Sequence, residues 1–288
     1  MHLKEAKGIL SAKCGMNISR GCIHGCIYCD SRSKCYQIDH DFEDVQIKSN
    51  APALLEAALA KKRKKCIVGT GAMSDPYIPI PENLANIRSC LEIIERHECG
   101  LAIQTKSDLI LRDLDLLKNI NKKSKCIVQM TLTTFDESLC RIIEPNVCGT
   151  QRRFEVLKIM RDNGIQTVVW LSPFLPFIND TEENLRGLLD YCAEAGVFGI
   201  LCWGIGMTLR EGNREYFYEK LDEHFPELKK KYQHKYGLNY VVSSDNNDAL
   251  MHLFYAFCEK YNIALGNDAI FQYMSVFEQK NRPQLELF

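Results

Sequence analysis

Short, nearly unbroken apolar runs recur along this chain between longer stretches with helical spacing, and that rhythm limits its possible folds more than any other feature. The runs fall at residues 15–19, 66–71, 101–105, 127–133, 166–172 and 198–204. Thr167-Val168-Val169-Trp170-Leu171 typifies them, with no polar alternation. Such a strand buries both faces, as in a parallel sheet covered by helices. Helical spacing fills the intervals, at 53–62, 82–96, 111–120, 152–163 and 181–195. Gly164 and Gly196 stand where a C-terminal stop belongs, and Asp180-Thr181 ahead of Glu182-Glu183 suits an N-cap. Six βα units in series predict a parallel sheet with right-handed crossovers. The expected architecture is α/β, a partial (β/α)6 TIM-like barrel, with a flat doubly wound sheet as the alternative.

Beyond residue 206 the rhythm changes. Residues 211–225 and 249–261 have helical spacing, and 238–244 suits an edge strand or hairpin. The expected organisation is a barrel over 1–206, a small, mainly helical extension over 207–280 and a tail over 281–288. The 288 residues are 46% apolar and 25% charged, as in ordinary folded domains. A net charge of −1 advertises no nucleic-acid partner by itself, although a local basic face is compatible with that sum. Lys61-Lys62-Arg63-Lys64-Lys65 closes a helix, where cations suit the dipole. Lys229-Lys230-Lys231-Tyr232-Gln233-His234-Lys235 reads either as a strip for phosphates and bases or as an exposed amphipathic helix.

The 14 cysteines fall below the roughly 8–10% of a disulfide scaffold. MHLKEAKGIL lacks the apolar core of a signal peptide, and no apolar stretch reaches the roughly 20 residues that span a bilayer. Free thiols, a cytoplasmic location and no membrane partner are expected. Cys66, Cys126, Cys192, Cys202 and Cys258 sit in apolar runs and read as small buried hydrophobes. Cys22, Cys26 and Cys29 differ. They form C-x3-C-x2-C in a loop just after the first expected strand, with Gly21 and Gly25 free of Cβ clashes. A 4Fe–4S cluster usually takes four thiolates; three leave one iron open to a chelating ligand. The C-terminal ends of parallel strands are where such folds place active sites. A zinc site completed by Cys14, Cys35 or His24 is the alternative, though no second C-x2-C pair exists.

With Tyr28 in the aromatic position of C-x3-C-x-aromatic-C, the segment 19–29 resembles the radical S-adenosylmethionine superfamily. The resemblance implies a 4Fe–4S cluster on Cys22, Cys26 and Cys29. It also implies S-adenosyl-L-methionine on the open iron, cleaved to a 5′-deoxyadenosyl radical, and a low-potential electron donor. The segments 69–77, 104–107 with 111–117, 131–134 and 172–180 narrow the likeness to the spore photoproduct lyase-like, or DNA repair photolyase-like, branch over residues 17–180. By that resemblance Tyr28, Ser74, Asp75, Lys106 and Thr131 bind the cofactor, Ser74 and Asp75 through its amine; Thr133 is an alternative to Thr131. Residue chemistry agrees, since oxygen acceptors suit an ammonium and Lys106 suits a carboxylate. Spore photoproduct lyase proper carries a hydrogen-donor cysteine where this chain has Ala72, and a tyrosine where it has Asp30. Its radical return path is thus missing in the usual form; Cys148 and Cys202 stand as substitute donors, and no catalytic residue is assigned.

The tail Gln284-Leu285-Glu286-Leu287-Phe288 resembles the QLxLF peptide that docks bacterial repair and replication proteins on the sliding clamp. Leu287 and Phe288 suit an apolar pocket and Gln284 supplies hydrogen bonds; a tail folded back on the domain is the bland alternative. The expected function is a radical enzyme acting on DNA, lyase-like lesion repair. The same chemistry on a peptide or metabolite is the second reading. A clamp-associated, non-catalytic iron–sulfur redox sensor belongs to another class.

Overall fold

The computed structural model describes residues 1–280, so the clamp-like peptide at 284–288 lies outside the described residues. Six strands form one parallel sheet: β1 (Gly15–Met16), β2 (Ile67–Thr70), β3 (Gly100–Thr105), β4 (Cys126–Thr131), β5 (Gln166–Trp170) and β6 (Gly199–Leu201). They neighbour one another in sequence order, and every pairing is parallel. A doubly wound sheet reverses its order at a switch point. This one does not, and the result is the expected partial (β/α)6 TIM-like barrel.

The intervals carry helices α1 (Ala51–Ala60), α2 (Pro81–Arg96), α3 (Leu114–Lys123), α4 (Glu137–Ile143), α5 (Thr150–Asp162) and α6 (Glu182–Ala195). Their ends follow local chemistry. Pro81 opens α2, the Thr181 side chain accepts the Asn184 N–H of α6, and Gly196 ends α6 in the left-handed region. Strand side chains alternate between two cores. Val68, Leu101, Ile103, Val128, Met130 and Val169 meet the helices, with Leu55, Ile87, Leu117, Leu157 and Leu189. Ile67, Ala102, Ile127, Val168 and Leu201 face the other way.

The chain beyond β6 supplies α7 (Asn213–His224), α8 (Leu228–Tyr236), α9 (Asn247–Lys260) and α10 (Asn267–Ser275). Helix α10 was not legible in the sequence. Its Ile270 and Met274 join Ile67, Ala102, Ile127 and Val168, so α10 stops the barrel interior near the N-terminal ends of the strands. The Lys125 ammonium donates to the Tyr273 carbonyl at 3.0 Å there.

Other differences have local causes. The first expected strand, 15–19, is split: after Met16 the chain leaves the barrel. Ser19–Arg20 then pairs antiparallel with Gln46–Lys48, itself parallel to His2–Lys4. The helix expected at 111–120 starts as a 3-10 turn, Asp108–Asp113, capped by Ser107. The edge strand expected at 238–244 shrinks to Val241–Ser243, antiparallel to Gly206–Thr208. The basic run at 229–235 is the amphipathic helix α8. Tyr232 and Tyr236 are buried, their hydroxyls donating to the Pro176 and Ser243 carbonyls at 2.7 Å, so neither ring is free to stack a base. Among the described residues no helix is long and apolar enough to cross a membrane.

Candidate active site

The cysteine loop is built by backbone and braced from a distance. The Cys22 N–H donates to the Phe42 carbonyl at 2.9 Å, Cys29 to Cys26 at 3.2 Å and Ile27 to Ile143 at 3.0 Å. Gly21 has φ +83°, and a Cβ there would meet the Phe42 oxygen at 2.4 Å, so the loop requires glycine. Asn146, in the turn after α4, donates its backbone N–H to the His24 carbonyl at 3.1 Å and its side-chain amide to the Ile23 carbonyl at 2.9 Å.

Cys22, Cys26 and Cys29 line one pocket together with residues 71–75, residues 104–106 and Thr131. The expected Ser74, Asp75, Lys106 and Thr131 are thus brought beside the three thiols, at the C-terminal ends of β2, β3 and β4. The Ser74 hydroxyl donates to the Gly21 carbonyl at 2.6 Å and meets the Ser19 hydroxyl at 2.9 Å, tying strand end to cysteine loop. Asp75 accepts from the Tyr77 N–H at 2.9 Å, the Thr105 hydroxyl at 2.7 Å and the Lys106 N–H at 2.8 Å. Its carboxylate therefore also holds the site in shape. Burial disfavours charge on Lys106, but Cys26, Glu144, Cys29 and Asp75 outweigh it and hold the ammonium above the usual lysine range. Burial pushes the Cys26 thiol up to about 12, against the pull of Lys106.

Tyr28 is placed differently from its expected partners. Its ring borders a second cleft, 5.8 Å from the Lys106 ammonium, and its hydroxyl donates to the buried Glu144. Glu144 pairs with Arg153 at 2.5 Å, both fully buried. Arg153 also donates to the Cys148 carbonyl at 2.9 Å and the Thr131 carbonyl at 3.2 Å. Burial alone would raise Glu144, but Arg153 and then Lys106 hold it below the usual carboxylate range. This network fixes the floor under the cysteine loop, and sequence reasoning missed it. His24, weighed in the sequence only as a completing zinc ligand, is a pocket residue. It lines the pocket, its Nδ1 stands 3.5 Å from Asp75, and its buried Nε2 has no partner. Its place within the cysteine motif was the available signal.

Ala72 lines the pocket, whereas Cys148 and Cys202 line neither it nor the second cleft. Cys148 donates to the Lys106 carbonyl at 3.1 Å, and Cys202 points to the Gly204 carbonyl and Met251. Asp30 accepts the Tyr36 hydroxyl at 2.7 Å and faces Arg210 at 3.6 Å.

Gly71 is the tightest point. Its φ is +102°, and a Cβ would stand 1.9 Å from the Gln104 carbonyl oxygen. Gly71→Ala is expected to lower stability by about 2 kcal/mol or more, read from urea unfolding midpoints.

A parallel partial barrel with three thiols, a cation and a carboxylate at its strand ends defines a class of cluster-dependent radical enzymes. A model of the Radical SAM superfamily matches residues 16–189, more than half the chain, and the chain belongs to that family. An uncharacterized protein of Methanocaldococcus jannaschii is 34% identical over 176 residues, 60% of this chain and 65% of that protein, so this chain spans under two thirds of that relative's length. An uncharacterized protein of Mycobacterium tuberculosis is 28% identical over 255 residues, 86% of this chain and 74% of that protein. Among solved structures, spore photoproduct lyase complexed with dinucleoside spore photoproduct aligns with a TM-score of 0.61 and 14% identity, over 85% of this chain and 72% of that one. The radical S-adenosylmethionine methyltransferase of Kitasatospora setae with cobalamin and a 4Fe–4S cluster bound aligns with a TM-score of 0.51 and 15% identity, over 72% and 36%.

The family uses a 4Fe–4S cluster and S-adenosylmethionine, and the donor chemistry of the pocket suits them. It offers three thiols and no fourth, with a cation, a carboxylate and an unpartnered imidazole nitrogen around them. Among the described residues no three His, Cys, Asp or Glu side chains could hold one metal ion. In a cluster each thiolate binds a different iron, so convergence on one point is not required.

Proposed function

We propose that this radical enzyme acts on DNA, with Cys22, Cys26 and Cys29 holding the cluster and Ser74, Asp75, Lys106 and Thr131 holding S-adenosylmethionine. When bound, the cluster and S-adenosylmethionine together supply a 5′-deoxyadenosyl radical that abstracts a hydrogen atom. The chain's residues do the rest. Lys106 offers a cation to the ligand carboxylate, while Asp75 and Ser74 offer oxygens to its amine. Tyr28, anchored on Glu144, separates this pocket from the second cleft.

That second cleft carries the DNA reading. It has a volume of about 610 Å³ and is bordered by Tyr28, Asp30, Trp170, Trp203 and Tyr240. Trp203 is 53% exposed and Tyr240 45%. The Trp170 indole N–H is fixed on Gln129 at 2.8 Å, and its ring lies 5.0 Å from that of Trp203. Exposed, fixed aromatic rings are stacking platforms for unpaired bases, each base contributing roughly 1–3 kcal/mol. The clamp-like residues Gln284, Leu287 and Phe288 give independent support for a DNA-bound setting. A reducing, cytoplasmic location suits the family's cluster, and a low-potential electron donor completes the system.

The test is anaerobic incubation of the reduced, cluster-loaded protein with S-adenosylmethionine and photolesion-bearing or undamaged oligonucleotides. The expected result is 5′-deoxyadenosine release that rises with lesion-bearing DNA and falls in Trp203→Ala. Release indifferent to every oligonucleotide removes the DNA reading; no release removes the enzyme reading. A peptide of residues 281–288 is expected to bind a bacterial sliding clamp and to lose binding with Leu287→Ala and Phe288→Ala. Absence of binding removes the clamp partner.

A further inference from the structure

Three cysteines each stand one residue ahead of a barrel strand: Cys14 before β1, Cys66 before β2 and Cys99 before β3. Cys66 and Cys99 mark the rim opposite the cysteine pocket, roughly 20 Å away along a six-residue strand at about 3.3 Å per residue, whereas Cys14 lies level with Val68. Ile67 lies opposite Gly100 in the ladder, and the Gly100 N–H donates to the Cys66 carbonyl at 2.9 Å. One step back in the same register, Cys66 lies opposite Cys99. Neighbouring strands run about 4.8 Å apart, inside the roughly 4.4–6.8 Å between Cα atoms that a disulfide needs. Both side chains belong to the helix-facing core, like Val68 and Leu101 two residues on. The Cys66 and Cys99 thiols are close enough to couple electrostatically, with Cys14 as a further neighbour.

Lysines stand close by: Lys62 lies near Cys14, and Lys65 near Cys99, while His97 beside Cys99 is paired with Glu56 at 2.7 Å. The basic run at 61–65 is exposed throughout and leads directly into Cys66. Coupling to Cys66, helped by Lys65 and His97 against burial, draws Cys99 down to about 6, and the same coupling raises Cys66, so the pair shares one proton. Cys90 and Cys126, by contrast, are pushed up to about 12 by burial. Cys66 is half-buried, while Cys99 is 3% exposed.

We propose that Cys66 and Cys99 form a thiol–disulfide site that reacts with small anionic disulfides of the glutathione class. The inference goes beyond the radical chemistry above and uses none of its residues. Cys66, the more accessible sulfur, passes its proton to the Cys99 thiolate and attacks one sulfur of the external disulfide RS–SR as a thiolate. The S–S bond breaks, and the departing RS⁻ takes that proton from Cys99 as RSH. Cys99 thiolate then attacks the Cys66 sulfur of the mixed disulfide and expels the second RS⁻, which is protonated from water. The two cysteines are oxidised by two electrons, and one disulfide is reduced to two thiols. The lysine run draws the anionic oxidant to this rim.

The test equilibrates the cluster-loaded full chain anaerobically with rising ratios of oxidised to reduced glutathione. Acid quenching, alkylation and peptide mapping follow, with the cluster's visible absorption read in parallel. Alkylation of Cys66 and Cys99 is expected to fall together, by about tenfold or more relative to Cys90, with a linked Cys66–Cys99 peptide and unchanged absorption. Cys99→Ser is expected to carry glutathione on Cys66 and form no link. The proposal is overturned if both thiols stay as alkylatable as Cys90, if Cys66 links to Cys14 instead, if Cys99→Ser leaves Cys66 unmodified, or if the link appears only as absorption is lost. None of these outcomes bears on 5′-deoxyadenosine release, so the radical reading stands or falls separately.

Discussion

Cys26→Ala, reconstituted anaerobically with iron and sulfide, is expected to lose the broad visible absorption of a 4Fe–4S cluster and to release no 5′-deoxyadenosine above background. The expected loss exceeds about a hundredfold, the upper end of what disturbing an outer partner of a metal ligand costs. Cys22→Ala and Cys29→Ala should behave alike, because the pocket contains no fourth thiol to replace a lost one. Cys35→Ala is the control. Cys35 is exposed and touches Arg210 rather than the pocket, so its loss should leave the absorption unchanged. A Cys26→Ala protein that retains cluster and activity would contradict the assignment of this loop as the cluster's holder.

Arg153→Met is expected to lower stability by about 3–5 kcal/mol, because it strands the fully buried Glu144 carboxylate without its cation. The pH dependence gives the sign. In the unsubstituted chain Glu144 is held below the usual carboxylate range, so its stabilising contribution is present above the unfolded carboxyl pKa and is lost as pH falls through the folded value. In Arg153→Met, burial without the guanidinium raises Glu144, and stability should instead recover as pH falls and the carboxyl is protonated. Removing both charges, as in Glu144→Met with Arg153→Met, should restore much of the loss, since a well-packed apolar pair often matches a buried ion pair. Urea unfolding midpoints across acid and neutral pH check all three. A Tyr28 hydroxyl left without Glu144 remains in the double variant, so its 5′-deoxyadenosine release should stay below that of the unsubstituted chain.

The sequence exposed those parts of the fold and site whose signals are local. Thr167-Val168-Val169-Trp170-Leu171 reads as a buried strand within a few residues, and Thr181 with Gly196 marks both ends of α6. The cysteine triad is a spacing, and its glycines announce the positive φ values that the loop adopts. Glu144 and Arg153 were illegible because their meaning lies in a contact with Tyr28, 116 residues from Glu144. Nothing near Glu144 marks it as buried rather than as an ordinary helix-end carboxylate. Helix α10 was missed because it is only nine residues long and its apolar residues lie on more than one face; the barrel interior, formed from five distant strands, gives Ile270 and Met274 their role. The opposite-rim thiols looked like isolated small hydrophobes because strand register, absent from any local window, sets Cys66 beside Cys99.

The described chain finishes at the stoppered end of the barrel. The Glu278 carbonyl receives the Ser124 hydroxyl at 3.0 Å, and the Lys280 ammonium reaches both oxygens of Asn121, at 3.0 Å and 2.9 Å. These latches fasten the last described residues to the underside, whereas the three-thiol pocket opens on the top. Closure of the barrel and its chemistry therefore sit on opposite rims, so a change that loosens the stopper can act on stability without touching the thiol-lined cavity.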